Sequence, residues 1–96
     1  MYAVVRNYSG AGAKQLVDLL EQRKADVEAV LRKVTGLMSY TLLRNGEGGV
    51  SVTVCKDKAG ADESVKLARE WIQKNASKIG ASPPAVMEGS VILQIK

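Results

Sequence analysis

Hydrophobic and polar positions along the chain switch between a period of two and a period near 3.6. Met1 to Tyr8 alternates loosely around Val4 and Val5 and predicts a first strand ending at Tyr8. Ser9-Gly10-Ala11-Gly12 reads as a turn, with Ser9 placed to cap a helix. From about Ala13 to Val34 the period is helical. Leu16, Leu19, Leu20, Val27, Val30, Leu31 and Val34 fall within about 120° of arc on a helical wheel. Arg23 lies near the middle of that arc. Either the helix breaks near Lys24, or the arginine snorkels past the core edge, or it is a buried functional cation.

Thr35-Gly36 ends the helical stretch, and Gly36 suits a left-handed C-cap. Leu37 to Leu43 reads as a second strand. Asn45-Gly46-Glu47-Gly48-Gly49 is a hairpin signal, because Asn-Gly accepts the positive φ of a primed turn. Val50 to Cys55 alternates strictly and predicts a third strand. Asp62 and Glu63 place negative charge at the start of a helix running to about Ser77, with Val65, Ala68, Ile72, Ala76 and Ile79 as its inner stripe. Gly80 to Ala85, with Pro83-Pro84, is a rigid loop, and Val86 to Ile95 predicts a last strand.

Strand, helix, two hairpin strands, helix, strand is the βαββαβ order. It predicts an α+β ferredoxin-like fold: one four-stranded antiparallel sheet with two helices on one face. The second face then needs a cover. Val50, Val52 and Val54, with Val91, Leu93 and Ile95, are expected to meet the helices. Ser51, Thr53, Cys55, Ser90, Ile92 and Gln94 are expected on the outer layer, which is nearly free of charge. A sheet face left in water usually carries charged residues at alternate positions, so this layer predicts a homodimer paired through that face, with a monomer carrying a mildly polar exposed sheet as the alternative.

Composition narrows the chemistry. The 96 residues form one domain, 1–96, and 46% of them are apolar, enough for a core. Phe is absent and there are one Trp and three Tyr, so the core is aliphatic. The net charge of +4 is spread along helix faces among acids, not clustered as a nucleic-acid footprint. An RNA-recognition fold has this strand order but stacks bases on aromatics, and the third strand here has none. No run is long enough to span a bilayer. One cysteine excludes an internal disulfide, and with no signal peptide the expected location is the cytoplasm. The absence of His removes Ser-His and Cys-His nucleophile pairs and the usual zinc and haem ligands, so no metal and no cofactor is expected.

The remaining candidates concern ligand binding. Trp71 sits with Leu67 on the shoulder of its helix, about 100° from the middle of the inner stripe, where it either closes a pocket or packs the core edge. Arg6, Asn7 and Tyr8 end the first strand beside a glycine-rich turn. Tyr40 and Arg44 alternate on the second strand and offer an aromatic wall and a cation. The ligand-binding candidates are Asn7, Tyr40, Arg44 and Trp71. Cys55 has no activating base beside it in sequence and reads as an inert thiol.

The element order, Gly36 before the second strand, the Trp-bearing helix "AREWIQKN", and Pro84 ahead of the strand from Val86 together resemble the dimeric α/β-barrel superfamily. That group includes the antibiotic biosynthesis monooxygenases and small haem-degrading enzymes. The resemblance covers nearly the whole chain. It implies a homodimer holding a small molecule, and oxygenation of a reactive aromatic substrate without a cofactor. Asn7 and Trp71 resemble two residues of the haem-degrading branch, whose histidine has no counterpart here. The alternatives are a non-catalytic dimeric structural or stress-response protein and, least favoured, an RNA-binding module.

Overall fold

The computed structural model describes residues 1–96. In chain order its elements are β1 (Tyr2–Tyr8), α1 (Ala13–Gln22), α2 (Lys24–Leu31), β2 (Leu37–Asn45), β3 (Gly48–Cys55), α3 (Lys58–Asn75), a 3-10 turn (Ser77–Ile79) and β4 (Ala85–Ser90). The strands form one sheet in the order β2-β3-β1-β4, antiparallel throughout. This is the ferredoxin-like arrangement that the sequence order predicts.

Two local details depart from the sequence reading, and one open alternative, the helix break near Lys24, is the one realised. The long helical stretch is two helices. It breaks at Arg23 (φ −107°, ψ 28°), which caps the end of one and the start of the next and is exposed. The break turns Arg23 outward, where its Nε donates to Asp26 Oδ2 at 2.6 Å. It is therefore not a buried cation. Ser9 does not cap α1. Gly12, at φ 75°, is the N-cap, and the helix has no side-chain cap. β4 stops at Ser90, because Ser90 pairs with Tyr2 and β1 offers no further ladder partner. Beyond it one backbone bond remains, from Val91 N–H to the Met1 carbonyl. Ile92 and Ile95 are then 98% and 85% exposed.

The two faces of the sheet are the reverse of the expectation for β3. Cross-strand partners share a face, and the register pairs Val4 with Thr53, Arg6 with Ser51 and Tyr8 with Gly49. Val4, Arg6 and Tyr8 are buried under the helices, and Ser51, Thr53 and Cys55 are buried with them. The helices come close to this side. A Cβ on Gly60 of α3 would lie 2.5 Å from the Thr35 carbonyl and 3.2 Å from Cys55 Cβ. One on Gly49 would lie 3.0 Å from Val17 of α1. Ser51, Thr53 and Cys55 fill this seam, and the β3 valines point to the other face.

The core is correspondingly divided. Tyr8, Leu16, Val17, Leu20 and Ala76 form one cluster, with Trp71 and Ile72 packed against it. Leu31, Val34 and Cys55 form a second, reached by Tyr40 and Leu67. Asp57 caps α3 by accepting the Gly60 N–H at 3.0 Å, which brings that glycine down onto the sheet.

The open face consists of three cross-strand rows. They are Thr41-Val52-Val5-Met87, Leu43-Val50-Asn7-Ala85 and Ser39-Val54-Ala3-Gly89. None of the twelve residues is charged and none is aromatic. Met87 is 68% exposed and Leu43 45%. The face is more apolar than the sequence reading expects, because it carries valines where serine, threonine and cysteine were expected.

Candidate functional site

Between the sheet and the helices, polar and aromatic groups converge from the end of β1 and the middle of β2. Strand alternation puts Arg6 and Tyr8 on the helix side of β1 and Tyr40 on the helix side of β2, since Tyr40 pairs with Thr53 and Arg6 with Ser51. Trp71 comes down from α3. Arg6, Tyr8, Tyr40 and Trp71, with aliphatic walls that include Leu20 and Ile72, line a narrow cavity of about 20 Å³. This is room for about one water molecule. A cleft of about 440 Å³ between α2 and β2 shares Leu20, Val27, Leu31 and Tyr40 with it. On the opposite side, a cleft of about 300 Å³ between α3, the proline loop and β4 shares Arg6, Tyr8, Ala68 and Ile72.

The structure therefore brings two of the four sequence candidates together and separates the others. Tyr40 and Trp71 line the same cavity. Asn7 is exposed in an outer row of the open face, on the other side of the sheet. Arg44 lies at the end of β2 and is held by α1, with Nη2 2.8 Å from Glu21 Oε1 and 3.0 Å from Asp18 Oδ1. The places of Asn7 and Arg44 are taken by Arg6 and Tyr8. Alternation could have shown this, because neighbouring residues on a strand point to opposite faces and only one of Arg6 and Asn7 can face Trp71.

Arg6 is 2% exposed and makes no ion pair. Its Nε donates to Ser51 Oγ at 3.1 Å and its Nη1 to the Ser64 carbonyl at 3.4 Å, both neutral partners. Burial pushes the Tyr40 phenol above its ordinary pKa of 10.0, against a smaller opposing pull from the Arg6 charge. Tyr40 is therefore a neutral hydroxyl at physiological pH. Trp71 is flanked on its outer side by Arg23, whose guanidinium carbon is 5.6 Å from the ring centroid.

Cys55 is fully buried against Gly60, and burial followed by Asp57 and Glu63 raises its pKa, so it is no nucleophile. No cluster of three or more His, Cys, Asp or Glu is placed to hold a metal ion. The residues present do not fit haem iron either. There is no histidine, the one thiol is sealed in the helix–sheet seam, and Tyr40 is held in its protonated form. No helix is long and apolar enough to cross a membrane.

No protein-family model matches the sequence, and no curated protein sequence matches it. Solved structures match the fold. A monooxygenase from Streptomyces coelicolor, in complex with the ligand nanaomycin D, superimposes with a TM-score of 0.68 at 16% identity, over 99% of this chain and 90% of that one. A MhuD variant with two manganese protoporphyrin IX molecules per active site gives 0.67 at 21% identity, over 99% and 97% of the two chains. A dimeric ferredoxin-like protein from an uncultured marine organism gives 0.61 at 13% identity, over 99% and 95%. Such low identities speak to the fold alone, and that fold is the ferredoxin-like one.

Proposed function

We propose that the protein is a homodimer that holds a small aromatic molecule between its helices and its sheet and oxygenates it without a cofactor. The observation that carries this reading is the convergence of Arg6, Tyr8, Tyr40 and Trp71 on one apolar cavity at the inner end of the cleft between α2 and β2. Apolar walls with a few convergent polar groups are what a small-molecule site requires, and about 440 Å³ is the size of one. The monooxygenase with the same fold supports the class of chemistry. In this reading the aromatic substrate lies in the cleft against Tyr40, and side-chain movement widens the small inner cavity behind it so that the reacting edge reaches Arg6 and Trp71. Tyr40 donates a hydrogen bond to a substrate oxygen, and Arg6 stabilises negative charge as the substrate gives up a proton and becomes electron-rich enough to meet dioxygen.

The dimer is formed by the open sheet faces. Twelve uncharged side chains, Met87 and Leu43 among them, match an interface and not a solvated surface. Asn7 then belongs to the dimer interface. The segment after Ser90 alternates, has no ladder partner in its own chain and is free to pair with the second copy.

The test uses 1,8-dihydroxyanthrone and dioxygen. The ring CH₂ becomes a carbonyl, one oxygen atom enters the product and the other leaves as water. Trp71 is the only tryptophan, so its emission reports on the cavity. The expected result is quenching of Trp71 by the anthrone, one labelled oxygen in the product from labelled dioxygen, and loss of both in Tyr40→Ala. Quenching with turnover no faster than buffer identifies a binding protein and ends the oxygenase reading. An absence of quenching ends the binding reading as well.

A further inference from the structure

Arg6 faces a second opening. The cleft of about 300 Å³ on the β4 side has Arg6 and Tyr8 as its floor, α3 as one wall and Pro83-Pro84 as the other. Arg69 and Gln73 are exposed on the α3 side of the cleft, and Arg69 makes no ion pair. No acidic residue lines it. The site thus has two guanidinium groups, one of them almost fully buried, and no carboxylate to neutralise either. A buried charge is ordinarily paired or coordinated, because burial strips its hydration. Ser51 and the Ser64 carbonyl supply two neutral hydrogen bonds, which leave the charge uncompensated.

We infer that this cleft is a binding site for a small organic anion, a carboxylate on a flat apolar body. The carboxylate is received by Arg6 and closed over by Arg69, and the body lies between Ile72 and the proline loop. Arginine suits the task because its planar fork matches a carboxylate and its face stacks on flat rings. The two prolines make the wall rigid, so little order is lost on binding. The inference does not rest on the α2–β2 cleft being catalytic. It shares only the floor residues Arg6 and Tyr8 and the wall residues Ala68 and Ile72 with the inner cavity.

The experiment titrates the full chain with 2-naphthoate and with its neutral amide, 2-naphthamide, and follows heat and backbone amide shifts. The expected result is naphthoate binding about tenfold or more tighter than the amide, with shifts centred on Arg69, Gln73 and Val86. Arg69→Gln should weaken naphthoate severalfold and leave the amide unchanged. Arg6→Gln should erase the preference. Should that variant fail to fold, Gln73→Glu decides, since a carboxylate on the cleft wall one helical turn from Arg69 should cut naphthoate affinity about tenfold. Met38→Ala, which alters the other cleft away from Arg6, should leave naphthoate binding intact. Equal binding of acid and amide, no saturable naphthoate binding below about 1 mM, or affinity indifferent to both Arg69→Gln and Gln73→Glu overturns the inference. Naphthoate shifts centred on Leu37 to Leu42 would place the anion in the α2–β2 cleft and overturn it too.

Discussion

At the scale of single residues, the helix–sheet seam sets the consequences. Thr53 Oγ1 is buried with no hydrogen-bond partner. An unsatisfied buried hydroxyl costs about 1–3 kcal/mol, so Thr53→Val should stabilise the chain by about 1 kcal/mol in urea unfolding. A loss of stability would mean that the hydroxyl has a partner in solution. Tyr40 gives a pH prediction. Burial raises its pKa above 10.0, so the unfolded chain releases the proton first. Stability from neutral Tyr40 is therefore complete below pH 10.0 and is lost as pH climbs through the folded value. The melting temperature should fall above about pH 10, and fall less steeply in Tyr40→Phe. Equal slopes in the two proteins would show that Tyr40 does not contribute.

At the scale of elements, the close approach of α3 to the sheet organises the molecule. Gly60 has its Cβ position 2.5 Å from the Thr35 carbonyl, a backbone atom that cannot swing away. Gly60→Ala gains helix propensity but must push α3 off β3. Overpacking of this kind costs about 1–3 kcal/mol, which for a chain of this size lowers the melting temperature by about 4–8 °C for each kcal/mol. Retained or increased stability would mean that the seam is looser than described. The break at Arg23 follows from the same economy. One straight helix through Val34 would carry the arginine into the core, whereas two helices let it point outward and lie beside Trp71.

For the whole molecule, the open face and the seam make opposite predictions for neighbouring residues of β3. Val52 is in the central row of the open face, beside Val5 and Thr41. Sedimentation at micromolar concentration should give twice the chain mass, and Val52→Lys should weaken the dimer by about tenfold or more while the monomer stays folded. Thr53→Lys should do the reverse. It drives a charge into the seam and lowers the melting temperature without a specific effect on association. A monomeric parent protein, or equal effects of the two lysines on association, would refute the face-to-face dimer.

The element order and most boundaries were legible in the sequence, because period-two and helical alternation and Asn-Gly at the hairpin act over a few residues. The helix, however, ends at Leu31 with Arg32 as its cap, and Gly36 serves the turn before β2. Also legible was an uncharged strand face, which is visible in either register. Which face of β3 meets the helices was not legible. Hydrophobic alternation favours burying Val50, Val52 and Val54, but the pairing with β1 sets Ser51, Thr53 and Cys55 on the helix side, where α3 comes close at Gly60. The site shows the same division. Tyr40 and Trp71 announced themselves by size and position. The choice of Arg6 over Asn7, the diversion of Arg44 to α1 and the acid-free cleft under Pro83 and Pro84 depend on strand pairing and on how the helices lie across the sheet. Local chemistry fixes a strand's alternation, but only the packing of distant elements decides which side of it becomes the inside.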